Sequence, residues 1–152
     1  MQINSYLTFN GNCREAMIFY KKCLGGELTF QTVGESPLSE KMPQQMKDYI
    51  LHATLSSRKL LLMGSDMVTK EGLVKGNAVS IMLNCESEAE IKNCYRKLAA
   101  GGQMTHRLVH TFFNSIMGDL TDKYGNNWIL TCKKDQKPRK QLRVKNKTAA
   151  KK

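Results

Sequence analysis

Residues 10–26, NGNCREAMIFYKKCLGG, predict a helix that is marked at both ends. Asn12 is a candidate N-cap, and Glu15 three residues later completes a pair that resembles a capping box. Apolar side chains at positions 13, 16, 17, 20 and 24 form one stripe at helical spacing. Gly25 and Gly26 permit the left-handed turn that commonly ends a helix.

The same plan recurs 75 residues later. Ser87 and Glu90 form a capping box, and the pair Gly101-Gly102 closes the segment. Apolar side chains at helical spacing lie between these two signals, and Tyr95 is the equivalent of Tyr20 at this offset. An internal repeat of this length indicates two structural modules of similar design.

Each predicted helix follows a strand and precedes three more. Residues 6–9 and 79–83 alternate between apolar and polar side chains, which is typical of strands with two different faces. Each half therefore has the order β-α-β-β-β, and the fold class is α+β. The remaining predicted strands span residues 27–33, 49–56 and 59–64 in the first half, and residues 103–110, 112–119 and 127–132 in the second.

The positive charge is concentrated at the end of the sequence. The chain has 152 residues and a formal net charge of +11, and residues 133–152 hold ten of its 24 Lys and Arg side chains with one Asp. The rest is nearly neutral, which excludes a uniformly basic nucleic-acid-binding globule. We expect residues 133–152 to be a disordered tail. It is either a solubilising extension or an arm that contacts nucleic acid or an acidic partner through salt-dependent binding.

Cysteine usage and hydropathy indicate where the protein works. The five cysteines are scattered and form no Cys-x-x-Cys, which favours reduced, buried thiols in the cytoplasm over a disulfide framework or a zinc site. The unbroken apolar runs, such as residues 60–63, are far shorter than the ~20 residues of a membrane-spanning helix. We therefore expect no membrane partner.

Several ordered phrases resemble the vicinal oxygen chelate superfamily, which includes glyoxalase I, bleomycin-resistance proteins and extradiol dioxygenases. Within it the chain resembles the PhnB-like branch, also labelled 3-demethylubiquinone-9 3-methyltransferase-like. The matching phrases are residues 6–20, 24–27, 50–55, 62–66 and 118–128, together with Asn84.

The resemblance implies one domain over residues 1–132, with modules at about 3–66 and 77–132. It implies a curved, eight-stranded half-open barrel with the helices on the outside. The alternation then assigns two sets of side chains. Those expected under the helices are Leu7, Phe9, Val79, Ile81, Leu83, Trp128 and Leu130, and those expected in the pocket are Tyr6, Thr8, Ser80, Met82, Asn127 and Ile129.

The metal chemistry of the superfamily does not carry over to this sequence. Metal-dependent members place His, Glu or Gln at four pocket positions. The matching positions here hold Tyr6, Ser80, Ile129 and either Leu62 or Met63, and none of these is a good ligand for a borderline or hard divalent ion. We therefore predict no metal. No glycine-rich phosphate loop precedes a helix, so no nucleotide cofactor is implied, and the methyltransferase label gains no support.

His52 is the candidate catalytic residue, because its position in the predicted strand turns it to the pocket side with Thr54. A pocket histidine can act as a general acid or base near neutral pH. The alternative, a hydrogen-bonded histidine without a catalytic task, is favoured because no carboxylate can be placed beside it. His106 and His110 are four residues apart, so both could face one side of a strand, but the pair is a weak metal signal.

The resulting function is a small-molecule-binding protein or metal-independent enzyme of the PhnB-like branch, expected as a homodimer. Polar side chains would orient the ligand, and two apolar side chains would form a wall beside it. The alternative is a protein that sequesters a drug or antibiotic, as bleomycin-resistance relatives do, but those favour acidic grooves and the predicted pocket face shows no acidic residue. The ligand-binding candidates are Tyr6, Thr8, Thr54, Ser80, Met82 and Phe113.

Overall fold

The computed structural model describes residue 1 and residues 3–133, and it contains eight strands and two α-helices within them. The helices are α1 (Cys13–Leu24) and α2 (Glu88–Leu98). Two short 3-10 helices, Pro37–Glu40 and Gln44–Met46, lie between the second and third strands. The strands are β1 (Ser5–Thr8), β2 (Glu27–Thr32), β3 (Ile50–Ser56), β4 (Leu61–Ser65), β5 (Ile81–Cys85), β6 (Gln103–His110), β7 (Ser115–Thr121) and β8 (Asn127–Lys133).

The strands form two four-stranded sheets of identical topology. Module 1 has the order β1-β4-β3-β2 and module 2 the order β5-β8-β7-β6. In each sheet the first strand pairs in parallel with the last, and the other pairs are antiparallel. The two sheets do not close into one barrel. The predicted α+β fold with two β-α-β-β-β modules in a half-open arrangement is confirmed.

The two helices begin in different ways. Ser87 caps α2 as predicted, because its hydroxyl accepts the backbone N–H of Glu90 at 3.1 Å, while the Glu90 carboxylate accepts the N–H of Glu86. Asn12 occupies the N-cap position of α1 as predicted, and its carbonyl oxygen accepts the N–H of Ala16 at 3.0 Å, but its side chain makes no capping hydrogen bond. The buried Asp66, just after β4, accepts the N–H of Cys13 instead, at 2.9 Å.

Several predicted strands start later in the structure than the sequence predicts, β5 and β7 among them. Residues 112–114 form a turn in which Asn114 has a positive φ of 57°, so β7 begins at Ser115. β5 begins at Ile81, which leaves Val79 in the preceding loop with 78% of its surface exposed. The predicted place of Val79 under a helix is therefore wrong, and Ser80 also lies outside the strand.

The core lies between the helices and one face of each sheet. Phe9, Trp128 and Leu130 are fully buried there, and Leu7, Ile81 and Leu83 pack against its edge. The helices also contact each other across the modules. We call the opposite side of each sheet, which no helix of the described chain covers, its open face. The predicted tail beyond Lys133 lies outside the described residues.

Candidate functional site

The open face of module 1 carries a cluster of hydrogen-bonding side chains around His52. Strand register places Tyr6 beside Met63 and Met63 beside Thr54, so these three share a face. The His52 ring lies on that face, with Nδ1 3.4 Å from the Tyr6 hydroxyl and Nε2 3.0 Å from the Thr54 hydroxyl. Thr8 alternates onto the same face two residues after Tyr6.

Both ring nitrogens of His52 therefore have neutral hydroxyl partners. In either neutral tautomer one nitrogen donates and the other accepts, and each hydroxyl can take the complementary role. No carboxylate hydrogen-bonds to this ring within residues 3–133. The cluster is suited to holding polar ligand atoms, since it presents rotatable donors and acceptors without a fixed charge.

The open face of module 2 carries a charged pair. Register aligns Met82 with Ile129, Ile129 with Asp119, and Asp119 with His106 in one row across the sheet. His106 Nδ1 donates to Asp119 Oδ1 at 2.7 Å. The row therefore joins an apolar half at β5 and β8 to a polar half at β7 and β6.

A polar pocket of about 370 Å³ adjoins this row. Ser80, although outside β5, lines it. Thr121 donates its hydroxyl to Asn127 Oδ1 at 2.9 Å, which fixes two of the lining side chains. The other lining residues include Asn77, Gln103, Thr105 and Asp119.

Two further candidates lie elsewhere on the β6–β7 hairpin. Phe113 is in the turn, 79% exposed, with its ring centroid 4.4 Å from that of Phe112. His110 pairs in register with the buried Ile116, whereas His106 pairs with Asp119 on the open face. Irregular register between Met104 and Val109 separates the two histidines, so they do not share a face and cannot hold one ion together.

The residues at the four superfamily metal positions do not fit a divalent ion. Tyr6 and Met63 are neighbours in register, Ile129 offers no donor atom, and Ser80 lies on the loop before β5. Leu62 is buried on the helix side, which leaves Met63 as the pocket-side residue of β4. Among the residues that the structure describes, no group of three His, Cys, Asp or Glu side chains could hold a metal. The side chains at these positions therefore do not fit the metal-dependent chemistry of the superfamily.

The five cysteines are free and buried, away from both clusters. Burial, with a smaller contribution from the negative charge of Asp66, raises the pKa of Cys13 to about 12. A hydrogen bond from Cys85 lowers the pKa of Cys94, against the opposing effect of burial. Cys94 lies on the buried side of α2, so this thiol does not face the open surface.

No described helix is both long and apolar enough to cross a membrane.

Comparison with known proteins gives one consistent family. The family model described as 3-demethylubiquinone-9 3-methyltransferase matches residues 1–131. Protein YjdN of Escherichia coli K12 is 29% identical over 146 residues, which cover 90% of this chain and 98% of that protein.

Solved structures agree with this assignment. The protein PA1353 from Pseudomonas aeruginosa is 39% identical with a TM-score of 0.77, covering 89% of this chain and 99% of that one. A PhnB protein from Bacillus cereus is 28% identical with a TM-score of 0.68, covering 87% and 99%. A glyoxalase/bleomycin resistance protein/dioxygenase family enzyme from Burkholderia phytofirmans, 11% identical with a TM-score of 0.58 over 84% and 96% of the two chains, shares the fold alone. The chain therefore belongs to the PhnB-like 3-demethylubiquinone-9 3-methyltransferase family, with the glyoxalase-type fold.

Proposed function

We propose that this protein binds a small molecule on the open faces of its two sheets without using a metal ion, and that it works in the cytoplasm. The observation that carries the proposal is the cluster around His52, whose two ring nitrogens lie 3.4 Å from the Tyr6 hydroxyl and 3.0 Å from the Thr54 hydroxyl on a face that no described helix covers. Ligand sites typically combine a few convergent polar groups with an apolar wall. Met63 beside this cluster and Met82 on module 2 supply flexible apolar surface.

We further propose that a second copy of the chain covers these faces. Tyr6 and Met82 are 49% and 54% exposed, and both point away from the helices. The β6–β7 turn adds two exposed phenylalanines. Large apolar side chains that are exposed together commonly mark an interaction site. Pairing two copies would enclose a pocket that a single chain leaves open.

With this arrangement His52 is a ligand contact or an acid–base group, and Thr8 and Ser80 contribute further hydrogen bonds. Phe113 would complete the apolar wall from the turn of a neighbouring copy.

One observation favours a second candidate, a protein that sequesters a drug-like cation. The alternation in the sequence assigns no acidic residue to the pocket face, which counts against this function. Asp119, however, lies on the open face of module 2 and supplies one negative charge there.

Native mass spectrometry of protein purified from its own host tests the proposal. The expected result is a dimer that retains a small molecule and no stoichiometric transition metal. His52→Ala should reduce the retained ligand, while His110→Ala on the opposite face serves as the matched control. A monomer without bound mass, or one Zn, Ni, Mn or Fe per chain that is lost on mutating Tyr6, would overturn it.

A further inference from the structure

His106 and Asp119 form a hydrogen-bonded pair that neither the family assignment nor the His52 cluster uses. Because an ionised carboxylate only accepts, the proton of the 2.7 Å contact lies on His106 Nδ1. In the neutral imidazole this leaves Nε2 as an acceptor. The His106 side chain is 77% exposed, so Nε2 is accessible from solvent.

The backbone beneath this pair is held from the core side. The hydroxyl of the buried Tyr95 lies 3.0 Å from the carbonyl oxygen of His106 and 3.3 Å from that of Asp119. A side chain at Gly118 would place its Cβ 3.0 Å from the His106 carbonyl oxygen, so the close approach of β6 and β7 favours glycine there. The bulge after Met104 then sets His106 opposite Asp119.

This support distinguishes the pair from an ordinary surface ion pair. Lys59 and Glu86 also contact each other, but both side chains are largely exposed. Such pairs contribute little and are readily exchanged for contacts with water. The partly buried Asp119 instead has its position fixed by the strands on both sides.

The surroundings of the pair define the chemistry of a ligand. On one side the pocket of about 370 Å³ offers the hydroxyl groups of Ser80 and Thr105 and the amide of Gln103. On the other side Ile129 and Met82 continue the row as an apolar surface. Asp119 is the lone carboxylate among the described residues that line this pocket.

We propose that the His106–Asp119 pair binds adjacent hydroxyl groups of a small uncharged ligand. His106 Nε2 accepts one hydroxyl, and the second carboxylate oxygen of Asp119 accepts the other. The apolar part of the ligand lies against Ile129 and Met82. This inference rests on the proposed function, since it assigns a ligand class to the open face of module 2.

Side-chain ¹H–¹⁵N NMR of the three histidines, titrated with hexane-1,2-diol, tests the inference. The diol should shift the His106 Nε2 resonance and leave His110, on the opposite face, unchanged. Asp119→Asn and His106→Gln should each weaken diol binding at least tenfold, whereas His110→Gln should not change it. Hexan-1-ol, which lacks the second hydroxyl, and hexylammonium, which replaces the diol by a cation, are the matched ligands.

The outcomes separate this inference from the proposed function. Binding of hexylammonium in preference to the diol overturns the assigned ligand class, and diol binding that survives Asp119→Asn overturns the role of the pair. An absence of diol binding also rejects the inference. If the diol shifts His52 but not His106, the open face binds ligands as proposed and the inference about module 2 is wrong. The unfolding midpoint of each variant confirms that it is folded.

Discussion

Tyr20 in module 1 and Tyr95 in module 2 occupy equivalent positions in the repeat, yet their hydroxyl groups have different tasks. Tyr95 donates to backbone carbonyl groups of β6 and β7 within its own module. Tyr20 reaches into the other module and donates to the buried Asp122 at 2.6 Å. One duplicated residue therefore holds the backbone of β6 and β7 in module 2, whereas its equivalent in module 1 joins the two modules.

The buried carboxylates of Asp66 and Asp122 show the same contrast between contacts within one module and contacts that join the two modules. Asp66 satisfies its oxygens with backbone N–H groups of module 1, including those of Cys13 and Ile50. Asp122 is reached by Tyr20 and by Trp128 Nε1, the latter at 2.8 Å, as well as by backbone N–H groups of its own turn. The internal repeat therefore reproduces the order of helices and strands in both modules. The junction between the modules, in contrast, depends on side-chain contacts that differ from one module to the other.

Among single substitutions at the junction between the modules, Asp122→Ala should have the largest effect on stability. It leaves the Tyr20 hydroxyl, the Trp128 indole N–H and two backbone N–H groups without their buried acceptor. Losing a buried, hydrogen-bonded carboxylate should lower the free energy of unfolding by about 3–5 kcal/mol. Urea unfolding followed by tryptophan fluorescence measures it, because Trp128 reports the junction directly. A loss below about 1 kcal/mol would mean that water replaces the carboxylate.

Paired Tyr→Phe variants test whether the two equivalent tyrosines contribute differently to stability. Tyr20→Phe removes a hydrogen bond to a charged group and should cost about 1.5–3 kcal/mol. Tyr95→Phe removes bonds to neutral carbonyl groups and should cost about 1 kcal/mol. Burial, together with the charge of Asp122, raises the pKa of Tyr20 far above its ordinary value, so the difference should persist throughout the neutral and mildly alkaline range. Equal losses in chemical denaturation would contradict the asymmetric junction.

The architecture followed from the sequence because its signals were local. The repeat of capped helices and the period-two strands predict both modules, and Ser87 caps α2 as expected. The side chain that caps α1 could not be predicted, since Asp66, which accepts the N–H of Cys13, is 53 residues away in the chain. Nor could the His106–Asp119 pair, because irregular register in β6 decides which histidine faces the aspartate. Strict period-two alternation would place His106 and His110 on the same face of β6.

The reactivity of the buried thiols Cys13 on α1 and Cys94 on α2 compares the surroundings of the two helices, with a smaller expected effect. The hydrogen bond from Cys85 lowers the pKa of Cys94, against the opposing effect of burial, so Cys94 forms its thiolate more readily than the other buried thiols. Burial raises the pKa of Cys13 to about 12, so its thiol stays protonated in mildly alkaline buffer. Since the thiolate is the nucleophile, iodoacetamide should modify Cys94 before Cys13 in the folded protein. Peptide mapping by mass spectrometry at increasing times measures the order, and Cys85→Ala, which removes the hydrogen-bond donor, should slow the reaction at Cys94. Equal rates at both sites would indicate that global unfolding limits the reaction.

Removing the basic segment should have the smallest effect on the folded modules. Truncation after Lys134 removes eight of the ten basic residues of the segment 133–152 and keeps β8, which ends at Lys133, as well as the 1–131 span that the family model matches. The free energy of unfolding should therefore change by no more than about 0.5 kcal/mol, as for surface changes away from packed features. Any salt-dependent binding to heparin or nucleic acid should disappear with the segment, because the rest of the chain is nearly neutral. Thermal unfolding and heparin-column elution of the two forms measure both effects. A large loss of stability would show that the segment packs on one of the modules, and heparin binding that survives truncation would place the anion-binding surface on the modules themselves.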